Sequence, residues 1–461
     1  MQDLRSTMQS SDWIPSSSLV ELHPDPTKRN KAIARRNIPV GSTVLSTPAF
    51  ATALLDSEKG HRCDHCLREQ PSLKKCSGCG NYWYCDAKCQ NLHWQTNHKR
   101  LCKRIGQFEN SVTFQQLEKH ERMDSLLLSH LLAQLSTLNE PYSPRESREL
   151  EVALELLPGP ASNVSAPPVC PIKPAPPSQR LVEDLFARFG NNNFTIHSHL
   201  NSIAHGVFPV ASRLFNHSCV PNAVAKYVFS AGNTVTMEVV SLRDIAVGEE
   251  ICIPYIDPAL MQTRHQVFQI TYGFVCDCPA CAFLSKIGTS VPEPPEDATE
   301  LAHLGAKLRD FVGVDEYLKG APVVAADSQP RSLDDLPPAL YCVLHESYMS
   351  TLSEAFSRAS HEGDYAQAAE SGVTLLALYL LVYPKNYPQI GMHLLEMAKT
   401  QWNHSFVALN PAGEDKDIAK NIVFQLLDLA KSVLRVLGTE GDSETGPFRE
   451  IEVLEDIARN A

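Results

Sequence analysis

Seven of the fourteen cysteines lie between Cys63 and Cys102, and they fall into pairs: Cys63 with Cys66, Cys76 with Cys79, Cys85 with Cys89, and Cys102 four residues after His98. Eight soft nitrogen and sulfur donors suit two tetrahedral zinc ions. The pairs four residues apart place both side chains on one helix face, and the pairs three apart suit tight turns. Such a short block has no room for an apolar core, so metal has to supply its folding energy. His65 and His93 are rival ligands. A second block, Cys276, Cys278 and Cys281, has three thiolates and no fourth donor nearby, so one must come from afar, and Cys219 is the candidate. Alternation along an extended segment points Cys276 and Cys278 to one side, and Cys281 closes a turn.

Cys219 itself sits in the run Phe215-Asn216-His217-Ser218-Cys219-Val220-Pro221-Asn222. A nucleophilic Cys, His and Asn set is a poor reading of it, because neighbours in an extended chain point apart while such groups must converge through space. Downstream stands Gly248-Glu249-Glu250-Ile251-Cys252-Ile253-Pro254-Tyr255. A tyrosine closing a strand is ordinarily a packing residue, so Tyr255 gains chemical meaning only from its neighbours.

The elements that must position these residues can be read from composition. A chain of 461 residues, 43 % hydrophobic and 20 % charged, is expected to be folded and soluble, in about three units. Residues 31–55 read as short strands with a turn at Pro39 and Gly41, and residues 108–157 as helical, with Leu126, Leu127, Leu131, Leu132 and Leu135 at helical spacing. Eight prolines in residues 158–177 predict an exposed extended loop. Residues 194–255 return to strand pattern, with Gly232 and Asn233 turning a hairpin. Beyond a Pro and Glu-rich joint at 291–297, amphipathic helices are expected over 340–359, 365–382, 389–404 and 417–437, as tetratricopeptide-like pairs or an ordinary helical bundle.

The net charge of −12 excludes binding nucleic acid through the overall field. Residues 60–104 hold nine basic and three acidic side chains, but seven thiolates and two zinc ions bring the local charge to +3, so DNA binding is weak at most. The longest apolar run, 375–383, is about half the length a bilayer requires, and residues 1–12 lack an apolar signal stretch, so neither a membrane span nor secretion is expected. The cysteines then read as metal ligands in a reducing compartment, cytoplasmic, nuclear or both.

Cys-x2-Cys, Cys-x2-Cys, Tyr84-Cys85-x3-Cys89-Gln90, Trp94 and His98-x3-Cys102 resemble the MYND finger, with one departure: His98 lies four rather than three residues beyond Trp94. The Asn216–Cys219 and Gly248–Tyr255 runs resemble the SET domain of protein lysine methyltransferases. Together with the cysteine-rich segment and helical tail, nearly the whole chain resembles the SET and MYND domain (SMYD) lysine methyltransferase family. That resemblance implies an α+β fold: a β-rich SET core in two parts (1–59 and 191–260), an inserted MYND finger (60–104), a helical insertion with the Pro-rich loop (105–190), a post-SET zinc segment (261–290) and an α-helical tetratricopeptide-like domain (291–461). It implies three zinc ions: Cys63, Cys66, Cys85 and Cys89 on the first, Cys76, Cys79, His98 and Cys102 on the second, and Cys219, Cys276, Cys278 and Cys281 on the third.

S-adenosylmethionine is the implied cofactor, held by Lys28, Asn30, Asn216, His217 and Phe274, with Tyr255 catalytic and Tyr272 and Phe274 lining the lysine channel. The family's Gly-x-Gly cofactor loop is replaced by Lys28-Arg29-Asn30-Lys31-Ala32, and Ser198 falls where an Asn often serves. The implied substrate is a lysine of a histone or another protein; implied partners are a proline-rich peptide at the finger and a chaperone or other protein at the tail. The alternative is a catalytically inactive adaptor built on the same scaffold.

Overall fold

The computed structural model describes residues 18–460 apart from 27, 161–164, 289, 320–332, 410–412 and 443. Its β-rich part is a set of small sheets. Strands β1 (Val20–Asp25) and β2 (Arg29–Ala34) form an antiparallel pair. Strand β3 (Thr43–Pro48) joins the predicted hairpin, β10 (Ala223–Val228) and β11 (Thr236–Ser241), in the order β10-β11-β3. Strands β4 (Ala51–Leu54), β7 (Asn193–Ser198) and β8 (Asn201–Val207) form a third sheet, with β8 central. Residues more than 130 apart in sequence pair in this sheet, which brings the chain back after a long insertion: Ala51 faces Val207. Val20, Ala32, Ile196, Phe208, Phe215, Met237 and Ile253 are buried together among these sheets.

The insertion holds the finger and a helical layer. The short strands β5 (Lys74–Lys75) and β6 (Trp83–Tyr84) lie in the finger. The helix Lys119–Leu135 begins with a capping box, Glu118 with Glu121, and buries Leu127, Leu128, Leu132, Ala133 and Leu135 completely, which is why its leucines recur at helical spacing. The described residues of the Pro-rich segment are extended but not uniformly exposed. Cys170 and Ile172 are buried, Ser125 donates to the Pro168 carbonyl and Tyr142 to the Pro174 carbonyl. Proline removes backbone donors but not carbonyl acceptors, and those acceptors fasten the loop to the helical layer.

In the tail, the helices Glu346–Glu362, Tyr365–Val382, Pro388–Trp402 and Glu414–Leu434 pack each against the next. The helix expected from residue 340 starts at Glu346, because Pro338–Leu344 is a 3-10 turn. Helices Ala298–Val312 and Pro447–Asn460 flank the set. Tyr365–Val382 is long and apolar enough to cross a membrane by length and composition. It is nonetheless a core helix: Ala368, Leu375, Leu376, Ala377 and Leu378 are buried against neighbouring helices.

Candidate active site and metal centres

Three sets of four donors come together, each with its ligand atoms within 4.8 Å of one another: Cys63, Cys66, Cys85 and Cys89; Cys76, Cys79, His98 and Cys102; Cys219, Cys276, Cys278 and Cys281. Tetrahedral zinc with bonds of about 2.3 Å to sulfur places two sulfurs about 3.8 Å apart. The Sγ separations are 3.5 Å for Cys66 and Cys85, 3.9 Å for Cys76 and Cys102, and 3.6 and 4.0 Å from Cys219 to Cys281 and Cys276. These distances are far too long for disulfides and fit a metal at each centre; all fourteen cysteines are free thiols. Burial pushes the His98 imidazole down to about 4, leaving it in the neutral form that ligates, with Nε2 3.3 Å from Cys76 Sγ.

The rival ligands are placed elsewhere. His93 stacks on His98 and is hydrogen-bonded to the Tyr84 hydroxyl, and neither His93 nor His65 belongs to a donor set. The extra residue between Trp94 and His98 is absorbed by a π-helical turn spanning Trp94–His98. A π turn widens the helix by one residue, so His98 still faces the centre on which Cys102, one turn later, also converges.

The second site is built around a short parallel pairing of β9 (Asn216–His217) with β12 (Cys252–Ile253). Asn222 secures it: its side chain donates to the Glu250 carbonyl and accepts from the Cys252 N–H. His217 is buried, and its Nδ1 accepts the Tyr255 backbone N–H at 3.0 Å. In the neutral ring the proton is then on Nε2, which donates to Cys219 Sγ at 3.1 Å. One imidazole thus ties the third metal centre to the backbone of Tyr255. With both nitrogens engaged inside the protein, His217 meets a ligand only through its ring face or its backbone.

Tyr255 donates its hydroxyl proton to the Phe215 carbonyl at 2.7 Å. Its ring lies 5.1 Å from Tyr272 and 6.3 Å from Phe274, edge-on to the latter. Burial holds the Tyr255 phenol well above its usual value and pushes Tyr272 up to about 12, so both stay protonated near neutral pH. Tyr255 and Tyr272 line a cavity of about 520 Å³ whose other walls come from Asn193, His197, Asp257, Tyr387, Gln389 and Glu440. Phe274 is not in that wall; it stacks on Phe268 and faces His217.

The residues expected at the cofactor's amino-acid end form a neighbouring group. Asn216 Nδ2 donates to the Asn30 carbonyl and to Glu250, at 2.7 and 2.8 Å. Lys28 Nζ lies 3.4 Å from Asp277, and although burial works against its charge, Asp277 and Glu250 hold the ammonium above its ordinary value. The missing glycines cost no backbone strain: among the described residues of the 28–32 segment none has a positive φ, and Asp25 fixes the turn by accepting from the Lys28 N–H and pairing with Lys31. Ser198, by contrast, is turned away from this group. It is buried and bonded to Asp442 of the helical tail.

Sequence reasoning missed Asp257, Tyr387, Gln389 and Glu440, which reach the cavity from distant segments and carry no local motif. Asn222 closed the Phe215–Asn222 run, but nothing in its spacing marked its role, and His197 carried no signal.

A β-rich core that threads two short strands beside a tyrosine, interrupted by a two-metal finger, defines a SET-domain protein. The SET domain family model matches residues 31–256. Among curated proteins, the chain is 25 % identical over 381 residues to N-lysine methyltransferase SMYD2 of Bos taurus, covering 78 % of this chain and 82 % of that one. It is 27 % identical over 420 residues to N-lysine methyltransferase SMYD2-B of Danio rerio, covering 85 % and 90 %. It is also 27 % identical over 288 residues to SMYD2 of Gallus gallus, covering 60 % and 63 %. The chain thus carries a SET domain over residues 31–256 and is similar along most of its length to SET and MYND domain lysine methyltransferases.

Proposed function

We propose that this chain is an S-adenosylmethionine-dependent protein lysine N-methyltransferase with a histone or non-histone substrate. The observation that carries the reading is Tyr255: a protonated phenol bonded to the Phe215 carbonyl, its backbone N–H held by His217, in the wall of a cavity that Tyr272 shares. The Lys28 ammonium beside the Asp277 and Glu250 carboxylates offers opposite charges to the carboxylate and ammonium of the cofactor's amino-acid end. Lys28, Asn30, Asn216, His217 and Phe274 would hold the cofactor, which supplies an electrophilic methyl group when bound.

A lysine ammonium near its ordinary value of 10.4 must lose a proton before it can attack, at about 4.6 kcal/mol at pH 7. Tyr255 and Tyr272 are not bases for this, because both are held protonated. Their rings desolvate the amine and so lower its basicity, and the Tyr255 oxygen orients it. The proton leaves through the cavity to water.

Calorimetric titration of the zinc-replete chain with S-adenosylhomocysteine tests the cofactor group without any knowledge of the substrate. Micromolar binding is expected. No binding by folded protein carrying its zinc would overturn the enzyme reading and leave a scaffold for partners.

A further inference from the structure

We infer that Glu440 is a specificity-determining residue of the cleft, receiving a lysine or arginine side chain that flanks the target lysine of the substrate protein. The inference rests on the lysine methyltransferase reading for the identity of the cleft. Among the described residues lining the cavity that Tyr255 and Tyr272 share, Asp257 and Glu440 are the carboxylates and there is no lysine or arginine. Asp257 is committed to the fold, accepting from the Ala259 N–H at 2.9 Å and from the Tyr383 hydroxyl at 3.2 Å. Glu440 accepts the His199 backbone N–H. The cation whose field reaches Glu440, Lys226, is shared with Glu238 at 3.0 Å and the Thr439 carbonyl at 2.7 Å. An ionised Glu440 therefore faces the cavity with a charge that these contacts do not fully neutralise.

The placement of Glu440 is over-determined. It follows the helix Glu414–Leu434 in a segment pinned on both sides: Gly441 donates to the Tyr227 carbonyl at 2.8 Å, and the buried Asp442 pairs with Arg62 of the finger, bonds Ser198 at 2.9 Å and accepts the Glu69 N–H at 3.0 Å. A Cβ on Gly441 would lie 2.5 Å from Ser198 Oγ, so the segment has no slack. Opposite it, the tip of the β7–β8 hairpin holds His199 and Leu200 at φ +48° and +70°, left-handed conformations that non-glycine residues adopt only when the surrounding structure imposes them. That turn presents the His199 N–H to Glu440 and lines the same cavity through Leu200.

The groups facing Glu440 are Lys226 and Tyr227 on β10 and His199 at the hairpin tip; His197 and Asp257 share the cavity. Burial pushes Glu440 up to about 7, raises Asp257 and pushes both histidines down, so Glu440 gains charge as pH rises through about 7. Selection for a basic flank then strengthens as pH rises.

The test uses zinc-replete full chain and lysine peptides that differ in one flanking residue, Arg, Gln or Glu, read by fluorescence anisotropy and by methyl transfer. Arg-flanked peptides should bind about tenfold tighter than Gln-flanked ones. The preference should be lost in Glu440→Gln and should reverse toward Glu-flanked peptides in Glu440→Lys. A basic-flank preference that survives both variants, in protein with normal zinc content and circular dichroism, would overturn the inference, as would its absence from the unsubstituted chain. Because anisotropy needs no methyl transfer, a chain that transfers nothing would sink the enzyme reading while the binding data still decide the role of Glu440.

Discussion

The finger and the cleft are stabilised in opposite ways. In the finger, eight donors within forty residues converge on two centres, and the backbone between them is mostly turn and short helix. In the cleft, the walls come from β7, β10, the segment after β12, and the helical tail, and the metal is one step away, behind His217. A metal centre is close to all-or-none, because the ion holds its four donors as a set, although the finger also packs on the helical insertion through Tyr82, Tyr84, Leu101 and Ile105. A wall assembled from distant segments can lose one contact and shift. The two regions are nevertheless joined by one buried pair, Arg62 with Asp442, whose side chains are 8 % and 7 % exposed.

The largest effect should follow metal removal. Chelation of all zinc should cost the finger its structure, since structural zinc contributes about 10 kcal/mol or more in such modules. Loss of the protection of Leu101 and Ile105 amides in hydrogen exchange reads it, and a finger that keeps its protection without metal would erase the contrast with the cleft. Next, Asp442→Ala leaves the Arg62 guanidinium buried without its main partner and should destabilise the chain by about 3–5 kcal/mol, measured by urea unfolding. Asp442→Asn, which keeps a hydrogen-bond acceptor, should cost less. If both variants are as stable as the parent, finger and tail are independent.

Tyr255→Phe should lower methyl transfer about a hundredfold while leaving S-adenosylhomocysteine affinity within about twofold, because it removes an orienting oxygen and keeps the ring. Unchanged turnover would remove Tyr255 from the mechanism. The smallest effect is expected from deleting the exposed Gln95, which should convert the π turn to an ordinary α turn with His98 still on its centre and zinc content unchanged. Loss of one zinc equivalent would show that the π turn, rather than the converging ligands, sets the position of His98.

The contrast also explains what could be read in advance. The zinc donors were legible because ligand spacing is local geometry, and the Tyr365–Val382 helix because its buried faces repeat along a continuous segment. Ser198 was not legible for the opposite reason. It stood out only as a departure from the family pattern, and its partner, Asp442, lies 244 residues away. The Lys28–Ala32 loop lacks the family's glycines, and Asp25 fixes that turn with side-chain bonds rather than unusual φ values.

Residue type and spacing by themselves determined which atoms could hold metal, which segments could be strand or helix, and that Tyr255 stood at the end of a strand beside a second conspicuous run. Tertiary structure alone decided that His217 would divide its two nitrogens between Cys219 and Tyr255, that a π turn would absorb the extra finger residue, and that Glu440 would reach the cavity. The physical reason is range: metal geometry and helical periodicity act over a few residues, whereas a cavity wall exists only once chain segments hundreds of residues apart have packed.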